Sequence, residues 1–100
     1  MDTEKNTAAL AGGKRDDILK LAAAHGAHNV RVFGSVARGE AGPESDLDIL
    51  ADFDPGRNYL DRVALWQDLE DLLGCKVHIV TEASLHWYIK DKILAEAVKL

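Results

Sequence analysis

Apolar residues recur along this chain with two periods, and the period switches several times. From Lys14 to His25 the spacing is helical: Ile18, Leu21 and Ala22 fall on one stripe with Leu19 beside it. Asp16 and Asp17 occupy the first turn, where the helix dipole favours anions, and Gly26 offers a stop. Asn29 to Phe33, NVRVF, reads as a strand that ends at Gly34-Ser35. A short helix begins there and stops near Gly39, and Glu40 to Ser45, EAGPES, is loop by its Gly and Pro content. Leu47 to Phe53, LDILADF, is a second strand, followed by a turn at residues 54–58. Tyr59 to Leu73 carries the clearest helical stripe, Leu65, Leu69, Leu72 and Leu73, flanked by Val63 and Trp66 and closed by Gly74. Lys76 to Thr81 is a third strand. Ser84 to about Val98 reads as a last helix with Leu85, Ile89, Ile93 and Ala97 in register. The expected order is α-β-α-β-α-β-α, an α/β (α+β) chain in which helices pack over a small sheet. Residues 1–12 show no period and read as a flexible leader, so residues 13–100 form the expected single domain.

Composition narrows the function classes. At 100 residues there is room for one small domain. Apolar and charged fractions of 47% and 29% are ordinary for a globular protein. The net charge of −5 argues against nucleic acid as the main partner, since such modules carry a basic face. The apolar runs are too short to cross a bilayer. Cys75 is the one cysteine, which excludes an internal disulfide. With no signal peptide in view, a cytoplasmic location is expected. An acidic chain that handles nucleotides needs metal ions to bridge to the phosphates.

The informative stretch is Gly34 to Leu50, GSVARGEAGPESDLDIL. A strand ending in Gly-Ser before a helix lets the backbone approach a ligand closely and presents free N–H groups to an anion. The Ser35 hydroxyl adds a donor, and Arg38, one turn on, could pair with the same group. Alternatively, Gly34-Ser35 is only a corner with Ser35 as N-cap. Asp46 and Asp48, two apart on a strand, share a face with Cα atoms about 6.6 Å apart at about 3.3 Å per residue. Both carboxylates can converge on a hard cation such as magnesium. The alternative is two ordinary surface aspartates. The opposite face, Leu47, Ile49, Ala51 and Phe53, can pack under a helix.

Taken together, Gly34-Ser35, ten intervening residues and Asp46-x-Asp48 resemble the signature of the DNA polymerase β-like nucleotidyltransferase superfamily. The small size and the closing segment, VTEASLHWYIKDKILAEAVKL, resemble its minimal, MntA-type branch, and the resemblance covers residues 14–100. It implies the nucleotidyltransferase fold with a mixed sheet of about three strands. It also implies ATP as substrate with Mg²⁺, or Mn²⁺, and transfer of a nucleoside monophosphate to an acceptor hydroxyl. Carried over by position, Gly34, Ser35, Arg38 and Ser45 bind the nucleotide, while Asp46 and Asp48 are the catalytic, metal-binding carboxylates. One of the carboxylates can help accept the proton. The implied role is that of an antitoxin that adenylylates a tyrosine on a partner HEPN toxin encoded nearby.

One position departs from the pattern. The superfamily's third acid, on the next strand, is matched here by His78. By alternation it could face Asp46 and Asp48, as a metal ligand, as a general base near neutral pH, or as a filler at a degenerate site. Asp52 lies about 13 Å along the strand from Asp48, too far to replace it. His25 and His28 read as structural, and Cys75 as a small buried residue rather than a nucleophile. Trp66, and Trp87 with Tyr88 in the last helix, are expected to pack in the core, with a partner contact as the other reading. A chain this small lacks room to hold the acceptor itself, so another protein presents it or the domain works as a homo-oligomer. The competing function is a binding module that neutralises its partner by contact alone.

Overall fold

The computed structural model describes residues 14–38 and 46–100. Helix α1 (Arg15–Ala24) leads into strand β1 (Ala27–Phe33), which runs into the short helix α2 (Gly34–Arg38). Strand β2 (Leu47–Phe53), helix α3 (Tyr59–Leu73) and strand β3 (Val77–Val80) follow. A 3₁₀ turn (Glu82–Ser84), helix α4 (Trp87–Glu96) and strand β4 (Val98–Lys99) complete the chain. The expected leader, residues 1–12, and the loop with Ser45 lie outside the described residues.

Among the described residues the sheet is mixed, with four strands in the order β3-β2-β1-β4. β1 and β2 are antiparallel, as are β1 and β4, while β2 and β3 are parallel. A parallel pair needs a long crossover, and the fifteen-residue α3 supplies it. α3 is well terminated for that task. Asn58 caps it by accepting from Leu60 and Asp61 N–H, and Asp61 accepts in return from Asn58 N–H. Gly74 ends it at φ 70°.

One face of the sheet makes the core. Val30 and Val32 of β1, Leu47, Ile49 and Ala51 of β2, and Val77 and Ile79 of β3 pack with Ile18 and Ala22 of α1, Val36 of α2, and Leu65 and Leu69 of α3. Leu72, Leu73 and Trp66 lean on its edge, as their helical spacing led one to expect.

The C-terminal region differs from the sequence expectation. The last helix covers Trp87–Glu96 rather than 84–98, and none of its residues is buried. Leu85 precedes it, Ala97 caps it, and Ile89 is exposed. Trp87 and Tyr88 are 81% and 66% exposed, so the expected core role for these two aromatics is wrong. The cause is β4, which the helical period concealed. Val98 and Lys99 leave the helix to pair with Val32 and Arg31, and Leu100 N–H donates to Val30 C=O at 3.1 Å. The strand anchors the chain end, and the helix before it does not have to seat its apolar residues in the core. β1 also begins two residues earlier than expected, with a bulge between His28 and Arg31 where Asn29 takes φ 51°.

Candidate active site

The topology brings three strand ends to one place. β1 and β2 are antiparallel, so the C-terminal end of β1 adjoins the N-terminal end of β2, and Phe33 pairs with Asp48. β3 is parallel to β2, so its N-terminal half lies alongside, and Asp48 pairs with His78. Gly34, Asp46, Asp48 and His78 therefore gather at one end of the sheet, from three segments separated along the chain.

Gly34 makes the turn from β1 into α2 at φ 75°, a left-handed conformation that side chains strain against. A Cβ placed there would collide with Asp48 Oδ2. Two independent constraints thus require glycine: the backbone angle and the carboxylate packed against it. Ser35 follows in α2, half-buried, with Arg38 at the end of that helix.

Asp46 stands just before β2 and Asp48 within it, on the face opposite Leu47 and Ile49. Burial pushes the Asp48 carboxyl above the ordinary carboxylate range. His78 and Arg38 pull it down, while the negative charges of Asp46 and Glu96 push it up. His78 does face the aspartates. Its Nε2 lies 2.9 Å from Asp46 Oδ2 and donates there, because a carboxylate can only accept. Both side chains remain 45% exposed.

One residue of the site escaped the sequence reading. Glu96, the last residue of α4, accepts from Gly34 N–H at 2.9 Å and from Arg38 Nη1 through both oxygens at 3.2 Å. The one local sign was an acid in the final turn of a helix, where the dipole disfavours it and a distant donor must compensate.

The remaining residues are accounted for elsewhere. Asp52 pairs with Arg31 and Asn29, away from the cluster. His25 and His28 pair with Asp68 and Asp54 at 2.7 and 3.0 Å, in keeping with structural roles. Cys75 is half-buried, and its thiol is pushed up by burial and by the charges of Asp46 and Glu70, which keeps it protonated and unreactive. Among the described residues no group of three His, Cys, Asp or Glu side chains is arranged to enclose a metal by itself. No described helix is long and apolar enough to cross a membrane.

Comparison with known proteins identifies the family and the fold. Residues 17–100 match the family model of the nucleotidyltransferase domain. The protein adenylyltransferase MntA of Thermococcus cleftensis is 42% identical over 73 residues, which cover 73% of this chain and 74% of that one. A solved structure described as a candidate minimal nucleotidyltransferase superposes with a TM-score of 0.82 at 47% identity, covering 100% of this chain and 97% of the other. The fold also matches a crystallised toxin–antitoxin assembly with AMP-PNP, at a TM-score of 0.74 and 22% identity over 86% of this chain and 71% of that one. The chain therefore belongs to the nucleotidyltransferase family, in its minimal, MntA-type branch.

Proposed function

We propose that this protein transfers AMP from ATP to a hydroxyl, that of a tyrosine on a HEPN-type toxin encoded nearby, and so serves as the antitoxin of a cytoplasmic pair. The observation that carries the reading is the packing of the Asp48 carboxylate directly against the Gly34 turn. A triphosphate seated on that turn lies within reach of Asp46 and Asp48. The adenylyltransferase name of an MntA relative supports the reaction class. The toxin–antitoxin assembly with AMP-PNP supports the biological setting.

A divalent cation, Mg²⁺ or Mn²⁺, fits the donor set. Magnesium is held by one or two carboxylates together with phosphate oxygens and water, so Asp46 and Asp48 suffice once substrate is present. The Asp48 carboxyl is raised chiefly by burial and less by the charge of Asp46, and a bound cation would offset both. The cation would supply charge neutralisation at the transferred phosphate. Gly34 N–H, the Ser35 hydroxyl and the Arg38 guanidinium orient the phosphates, with Ser45 expected to assist. The acceptor oxygen bonds to the α-phosphorus, the bond to the bridging oxygen breaks, and pyrophosphate leaves with the electron pair. The hydroxyl proton passes to a carboxylate of the pair. His78, held by Asp46, orients that carboxylate.

Incubation with ATP, Mg²⁺ or Mn²⁺ and the protein encoded next to this one should add the mass of AMP to a tyrosine of that partner. Absence of an adduct with either metal, by mass spectrometry, defeats the enzymatic reading. A second reading has its own observation: His78 occupies Asp46 where the family has a third acid, as in a chain that neutralises its partner by binding alone. The double change Asp46→Ala and Asp48→Ala then leaves neutralisation intact. Loss of neutralisation with the complex retained excludes it.

A further inference from the structure

Glu96 sits where an anionic ligand belongs. Its side chain is 20% exposed, and its carboxylate takes one oxygen to Gly34 N–H and both to Arg38. Those donors come from the turn and the short helix that the family signature assigns to phosphate. Its position at the C-terminal end of α4 is unfavourable for an anion, so the donors, not its own helix, hold it there.

We propose that Glu96 is a positioning residue that keeps the phosphate seat assembled in the absence of nucleotide and vacates it when a triphosphate binds. The proposal rests on the nucleotide reading of Gly34 and Arg38. The exchange is physically required under that reading. A backbone N–H has one proton to donate, so it cannot serve the carboxylate and a phosphate oxygen at full strength together. Two anions on one guanidinium and one N–H would also repel at contact distance. While Glu96 holds the seat, the guanidinium of Arg38 stays aimed at the Gly34 turn. The carboxylate is replaced by the ligand it imitates, and binding weakens by the strength of the internal contact. Glu96 also links the seat to the chain end, because Val98, two residues on, pairs with Val32 of the strand that leads into Gly34.

The test is the affinity of the full chain for inorganic triphosphate in EDTA and for AMP-PNP with Mg²⁺, by calorimetry. Wild type is compared with Glu96→Gln, which keeps the shape and removes the charge, and with Glu96→Ala. Thermal unfolding of each variant checks that it is folded. Release from a self-held seat predicts that both variants bind triphosphate about five-fold tighter without metal, the size of one partly exposed ion pair. It also predicts tighter AMP-PNP binding with metal. Unchanged affinity in EDTA overturns the proposal. So does weaker AMP-PNP binding confined to Mg²⁺, which would make Glu96 a metal ligand instead. If wild type binds the triphosphate but the variants gain nothing, only the role of Glu96 fails. If neither wild type nor variant binds either probe, the nucleotide reading fails and takes the proposal with it.

Discussion

Asp48 is the residue on which stability and the proposed chemistry pull in opposite directions. Its carboxyl is raised chiefly by burial, so the folded chain holds the proton more readily than the unfolded chain. Stability therefore falls as pH rises from about 3.8, the unfolded value, through the raised folded value, and the cost stays constant above that. Asp48→Asn removes the cost. It should raise Tm at pH 7, leave Tm unchanged below pH 3.8, and lower AMP transfer about 100-fold or more. A fall in Tm at pH 7 would contradict this account. Gly34→Ala acts the other way at the same contact. It forces a left-handed φ on alanine and drives Cβ into Asp48, so a cost of about 1–3 kcal/mol is expected in denaturant unfolding. Nucleotide affinity should drop with it.

The helices differ in how they are held. α3 carries a full capping box and buries Leu65 and Leu69, so local and tertiary signals agree. Asn58→Ala removes both accepted hydrogen bonds and should cost about 1 kcal/mol, or about 4–8 °C in Tm. The Asp61 carboxyl is held below the ordinary range mainly by the backbone N–H of residue 58, which alanine keeps, so that half of the capping box survives the change. α4 has no such anchorage in the core. The double change Trp87→Ser and Tyr88→Ser removes two exposed aromatics and should shift stability by no more than about 0.5 kcal/mol. A loss of several kcal/mol in urea titration would mean that these rings pack in the core after all. Their exposure also explains why periodicity misread this segment. Spacing reports which residues could share a face, and it is silent on whether anything covers that face.

At the scale of the molecule, a layer of aliphatic side chains on one side of β1, β2 and β3 forms the main core, while the other side of β2 buries Leu50 and holds Asp48, with His78 beside it on β3. Leu65 is fully buried in that layer, against the strands whose ends form the site. Leu65→Ala should cost about 2–5 kcal/mol, a large share of the stability of a domain this size, and chemical denaturation would measure it. Much of this plan was legible in the chain. Three helices, the first three strands and the apolar alternation of Leu47, Ile49 and Ala51 follow from period and turn chemistry, while the pairing of a glycine turn with Asp46 and Asp48 followed from the family resemblance. Period and turn chemistry are local signals, carried by residues close together in the sequence. β4 was invisible because two residues make no period. Glu96 was invisible because its partners, Gly34 and Arg38, lie about sixty residues away and nothing in its own surroundings names them. His78 stood between these cases. Alternation put it on one of two faces, and only the parallel register of β2 with β3 set it opposite Asp48 and against Asp46. The sequence by itself therefore determined the first three strands, the helices between them and the apolar alternation of β2, and it singled out Gly34, Asp46 and Asp48 as candidates for phosphoryl chemistry. The tertiary structure alone decided that the ends of three strands coincide, that His78 leans on Asp46, and that Glu96 fills the turn, since each depends on strand order and direction, which no local pattern encodes.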